Sequence, residues 1–142
     1  MIRLLTTTFL LLGLTGCVSS GYYLDDVNVN MQDIRTAIRN LYVIQSVSEN
    51  ERVIITEPMR KDPNDTTPAK QMKERMYARI VIVNDRRPYR VHVQAYEERK
   101  VGGEWVELDI DERLSTDIAR EIHRELIESR GKRNVIDDFR AF

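Results

Sequence analysis

Tyr77-Ala78-Arg79-Ile80-Val81-Ile82-Val83, then Asn84-Asp85-Arg86-Arg87-Pro88, then Tyr89-Arg90-Val91-His92-Val93-Gln94-Ala95 is the stretch that decides the fold. The first segment is β-branched and apolar on both registers, the pattern of a well-buried central strand. The middle five residues are polar and end on proline, which reads as a turn. In the third, Tyr89, Val91, Val93 and Ala95 alternate with Arg90, His92 and Gln94, so one face is buried and one is solvated. Two such strands joined by a short polar turn predict an antiparallel pair.

The elements on either side extend that sheet. Gly102-Gly103 is a strong hairpin signal, and Val106, Leu108 and Ile110 alternate in the strand that follows it. Upstream, residues 42–48 and 53–56 are β-branched and flank the polar turn Glu49-Asn50-Glu51, which predicts a second hairpin ended by Pro58. Between the hairpins, residues 60–74 carry no periodic apolar face and read as a loop.

Two amphipathic helices bracket the strands. Over residues 30–41, Met31, Ile34, Ala37, Ile38 and Leu41 recur at three- and four-residue spacing, with Asn28 or Asn30 placed to cap the first turn. Over residues 111–130, Leu114, Ile118, Ile122 and Leu126 fall four apart, Ala119 and Ile127 widen the stripe, and Gly131 supplies a stop. An amphipathic sheet needs its apolar face covered, and two striped helices can cover it. The expected fold is therefore α+β: a two-layer sandwich with an antiparallel sheet of four to five strands and both helices on one face.

The N-terminus reads as an address. Arg3 precedes a short apolar run at residues 4–14, and Leu14-Thr15-Gly16 leads directly into Cys17, the only cysteine. That order of charged, apolar and small-residue regions predicts a secretory signal peptide. Spanning a membrane as a helix takes about 20 apolar residues, and this run is too short. The four closing residues resemble the bacterial lipobox. The resemblance implies a diacylglyceryl group on the Cys17 sulfur, cleavage after Gly16, and recognition of Leu14, Thr15 and Gly16 by the signal peptidase. A side chain at the residue before the cut would obstruct the peptidase, which favours Gly16.

The expected organisation is a signal peptide at 1–16, a lipidated flexible tether at 17–28, an α+β periplasmic domain at 29–131 and a polar tail at 132–142. Removing 16 residues from 142 leaves 126, enough for one domain with a core. The remaining formal charge is 21 basic minus 23 acidic residues, or −2. A near-neutral chain carries no electrostatic footprint for nucleic acid. With Cys17 consumed, no thiol is left for a disulfide or a metal. An eight-stranded outer-membrane barrel needs more strands than this chain offers. Val18, where the enteric sorting rule would place Asp for inner-membrane retention, predicts an outer-membrane, periplasm-facing lipoprotein, with the inner membrane as the alternative.

The search for chemistry returns no catalytic, cofactor or metal signature. No Gly-x-Ser-x-Gly elbow, phosphate loop or His-Glu-x-x-His motif is present. Asp62-Pro63-Asn64-Asp65-Thr66 opens like a calcium loop, but it lacks glycine at the sixth position and has Lys73 at the twelfth. His92 falls on the polar side of a strand and His123 on the long helix, each without a second ligand at metal spacing; both read as solvated or locally hydrogen-bonded. Glu97-Glu98 and Asp137-Asp138 read as surface charge, because no apolar pocket surrounds them to raise a pKa. Trp105 falls on the polar register of its strand, where it is either a partner contact or covered by the tail.

Beyond the lipobox, the order of elements resembles the helix-and-antiparallel-sheet domains of BamC-type envelope-assembly lipoproteins. The resemblance rests on Ala37-Ile38-Arg39-Asn40-Leu41, on Val53-Ile54-Ile55-Thr56, and on the Arg-Ile-Val-Ile-Val and Tyr-Arg-Val-His-Val strands. Such proteins typically carry two domains and a long N-terminal segment, where this chain has room for one domain and a short tether. No binding residue transfers on that pattern. The lipopolysaccharide-transport lipoprotein that sits inside its barrel partner has a similar helix-sheet-helix plan.

Two function classes follow. One is a non-catalytic accessory that is held by lipid at the membrane and binds an envelope protein complex. The other is a lipid- or small-ligand-binding lipoprotein with a cavity between helices and sheet. They differ in where the large apolar side chains end up.

Overall fold

The computed structural model of the chain describes residues 20–62 and 64–138. The expected signal peptide, the lipobox with Cys17, and residues 139–142 of the expected tail lie outside the described residues. The element order is β1 (Tyr22–Val27), α1 (Met31–Leu41), β2 (Ile44–Val47), β3 (Val53–Thr56), β4 (Glu74–Ile82), β5 (Tyr89–Val101), β6 (Glu104–Ile110) and α2 (Glu112–Asp138). The fold is α+β: an antiparallel sheet with both helices on one face.

The deciding stretch forms the centre of the sheet. β4 and β5 pair in continuous antiparallel register from Glu74↔Arg99 to Ile82↔Val91. Met76, Ala78, Ile80 and Ile82 share one face with Val91, Val93 and Ala95, and all seven are buried. α1 adds Ile34, Ala37 and Ile38 to this core, and α2 adds Ile118, Ala119, Ile122 and Leu126. α1 starts where its cap predicts, because the Asn30 Oδ1 accepts the Asp33 amide at 2.8 Å. α2 is capped in the same way by Asp111, whose Oδ1 accepts the Leu114 amide at 2.9 Å. Gly102 and Gly103 turn the β5–β6 hairpin at φ +61 and +94, where L side chains are strained.

Among the described residues the sheet has six strands, more than expected, because Tyr22–Val27 is a strand and not tether. β1 pairs with β5 through Tyr22↔Val93, Tyr23↔His92 and Leu24↔Val91. The register then shifts before Val27↔Tyr89, and Asp26 sits at φ +58. That irregularity breaks the alternation by which a strand is recognised in sequence. β5 is thus the hub of the sheet. One edge follows β4, and the other is shared end to end by β1 and β6.

Three further expectations are corrected. α2 runs through Gly131 to Asp138, so Gly131 is not a stop and part of the expected 132–142 tail is helix. A glycine inside a helix costs only about 1 kcal/mol relative to alanine, too little to end a helix of 27 residues. Ile127 is 57% exposed, because one step past Leu126 turns it about 100° off the buried stripe. Val106 and Leu108, expected in the core by their alternation, are 44% and 46% exposed.

Candidate functional site

Val106 has the right register but no cover. In antiparallel pairs, directly opposite residues share a face. Val106 lies opposite Arg99 and Glu107 opposite Glu98, which places Val106 on the helix side of the sheet and Glu107 on the open side. α2 packs on β5 near Ala95 and then runs toward β1 and α1, away from the hairpin. The far half of β5–β6 therefore projects beyond the helical layer. Val101 and Val106 are exposed on this side of the arm, Leu108 is exposed where the β5–β6 register shifts, and among the described residues β6 pairs with β5 alone.

Trp105 lies on the arm's other side, opposite Lys100. It is half-buried rather than free-standing. The Arg75 guanidinium lies 4.0 Å from its ring centroid and the Lys100 ammonium 5.8 Å away. Arg75 is held in turn by Glu98 at 2.6 Å. The Tyr77 ring stacks on Tyr96 at 5.1 Å, and its hydroxyl donates to Glu107. Desolvation and that carboxylate push the Tyr77 phenol well above its ordinary pKa. An aromatic and cationic strip thus runs along the open face of the sheet, which no helix covers among the described residues.

Side chains of the same face hold Ser20, the first described residue. The Ser20 carbonyl accepts from Gln94 Nε2 at 3.1 Å and lies 3.2 Å from His92 Nε2. The Gly21 amide donates to Glu112 Oε1 at 3.1 Å. Gly21 sits at φ +112, and a Cβ there would meet the Val93 carbonyl oxygen at 2.6 Å. His92 was expected to be solvated or locally bonded. It is buried, stacked on Tyr23 at 4.1 Å, and its bond reaches across 72 residues of sequence. Burial lowers its pKa, so the ring is neutral near neutral pH. The Nε2–H tautomer then donates to the Ser20 carbonyl.

The remaining titratable candidates are dispersed. Glu97 and Glu98 are consecutive strand residues and point to opposite faces, Glu97 toward Lys61 and Glu98 toward Arg75. They form no dyad. Asp62 and Asp65 turn their side chains onto the backbone amides of Asn64 and Thr67, at 2.8 and 2.9 Å. Their loop borders an open, charged cleft of about 760 Å³ that includes Lys61, Lys73 and Glu74. His123 is exposed beside a recess of about 70 Å³ between β1 and α2. Between the layers, Ile34, Ile38, Ile80, Ile82, Val91, Val93 and Ile122 are each no more than 1% exposed. That space is packed with side chains.

The Gly21, His92 and Gln94 cluster and the Arg75 pairing with Trp105 were not read from sequence. The one available signal was Gly21 standing directly before a tyrosine pair. No protein-family model matches the chain, and no curated relative matches it.

Proposed function

We propose that this chain is a non-catalytic, lipid-anchored envelope protein that binds a protein partner through the projecting β5–β6 arm. The anchor reading rests on Leu14-Thr15-Gly16-Cys17 behind a short apolar run. Among the described residues no helix is long and apolar enough to cross a membrane; on the lipobox reading, acyl chains on Cys17 do the anchoring. Each buried methylene contributes about 0.8 kcal/mol, so two or three chains hold the protein essentially permanently. Val18 favours the outer membrane, facing the periplasm.

The observation that carries the partner reading is the exposure of Val101, Val106 and Leu108 on an edge hairpin, beside a fully packed interlayer. Free strand edges are ready templates for pairing with another chain, and natural proteins usually protect them. Trp105 borders the same arm but already lies against Arg75 and Lys100, so Val106 and Leu108 are the more open contacts. A packed interlayer also gives little support to a ligand carrier with a central cavity.

The test is a Val106→Glu, Leu108→Glu double variant of the full chain, compared with wild type after gentle detergent extraction of native membranes. Both side chains are exposed, so thermal stability should stay close to wild type. The wild-type chain should migrate in a larger complex and the variant alone. An unchanged complex in a stably folded variant contradicts the partner reading.

A further inference from the structure

We propose that the open face of the sheet is the membrane-facing side of the protein and lies against the phospholipid headgroups. This rests on the Cys17 anchor reading and adds an orientation to it. Ser20, the first described residue, is held from that face. The Ser20 carbonyl is held by the side chains of Gln94 and His92, both of which stand opposite the helices. Gly21 fits the close approach to Val93 only because it lacks a Cβ. Glu112 holds the Gly21 amide from the start of α2.

Three residue steps separate Cys17 from Ser20. At roughly 3.3–3.6 Å per residue, a fully extended chain spans about 10 Å. The acyl chains must therefore be attached within about 10 Å of Ser20, at the sheet edge where β1 gives way to β6. That keeps the acyl chains close to the side of the sheet from which Gln94 and His92 hold Ser20.

The chemistry of the face suits that neighbour. Tyr23, Tyr77, Tyr96 and Trp105 supply amphipathic rings, which accumulate at membrane–water interfaces. Arg79, opposite Gln94, is exposed and forms no ion pair among the described residues. Lys100 likewise has no carboxylate partner among them, and Arg86 and Arg87 are exposed on the β4–β5 turn. These cations can meet phosphate oxygens while their stems lie along the rings.

Trp105 is the only tryptophan, so the face carries its own reporter. The full-length lipidated protein is reconstituted into phosphatidylethanolamine–phosphatidylglycerol vesicles containing a headgroup-nitroxide lipid, and tryptophan emission is read after flotation. Two further proteins share a Trp105→Phe background. One carries Ser46→Trp, opposite Ile55 on the open face, and the other carries Arg124→Trp on the exposed side of α2. Trp105 and the tryptophan at position 46 should lose most of their emission, and the one at position 124 should keep its own. Equal quenching at all three positions, or stronger quenching at 124, overturns the orientation. A protein that does not float with the vesicles at all refutes the anchor itself, and the two failures are thereby told apart.

Discussion

The Ser115 hydroxyl of α2 accepts the Ala95 amide of β5 at 2.9 Å, at the point where β5 changes partner from β1 to β6. The Asp111 amide completes the exchange by donating to the Ala95 carbonyl at 2.9 Å. On the far side of the central pair, the Thr56 hydroxyl does the same for the Ala78 amide at 2.9 Å. Ser115 and Thr56 are both fully buried. Each supplies the acceptor that a missing strand residue would have provided.

Ser115→Ala and Thr56→Val should each destabilise the domain by about 1–3 kcal/mol, because each strands a buried backbone N–H. Urea unfolding of the chain checks this. Ser129→Ala, at a half-buried position of α2 where the hydroxyl donates to the Leu126 carbonyl and holds no amide, should change the midpoint little.

The phase of α2 has its own test. Ile122 is fully buried and Ile127 is 57% exposed. Ile122→Ala should cost about 2–5 kcal/mol through lost transfer energy and the cavity left behind. Ile127→Ala should stay within about 0.5 kcal/mol of wild type. Equal costs in thermal unfolding would mean that the buried stripe is misplaced.

Two glycines should answer alanine in opposite directions. Gly21→Ala places a Cβ 2.6 Å from the Val93 carbonyl oxygen at a positive φ and should be destabilising. Gly131 lies within α2 with nothing within 4 Å of a Cβ. Gly131→Ala should stabilise by up to about 1 kcal/mol. Calorimetry of the two variants measures both signs.

The pH dependence follows from His92. Burial holds its folded pKa below the ordinary 6.5, so between the folded value and 6.5 the unfolded chain binds more protons. Stability is complete above about 6.5 and falls as pH drops through the folded value. The measurement is the difference between wild type and His92→Gln, in which the contributions common to both proteins cancel. That difference should be flat above about 6.5 and should move in favour of the variant below it.

The parts of the fold legible in the sequence are those set by local pattern. β3 occupies Val53–Thr56 as read, the hairpin turns at Gly102, and Ile118, Ile122 and Leu126 are the buried stripe of α2. β1 was missed because Asp26 at φ +58 and a register shift interrupt its alternation. Val106 follows the alternation yet remains exposed, since its burial depends on how far the helical layer extends, and a register shift interrupts the alternation between Glu107 and Ile110. The hold on Ser20 was illegible for a different reason. Its donors lie 72 and 74 residues away, and nothing local marks a carbonyl that distant side chains will hold.

Intact-mass analysis of the protein extracted from its native membranes tests the anchor most directly. The expected product begins at Cys17, is heavier than its amino-acid sequence by a diacylglyceryl group with or without an amide-linked acyl chain, and has no free thiol. An N-terminus other than Cys17, or a Cys17 whose thiol is free, contradicts it.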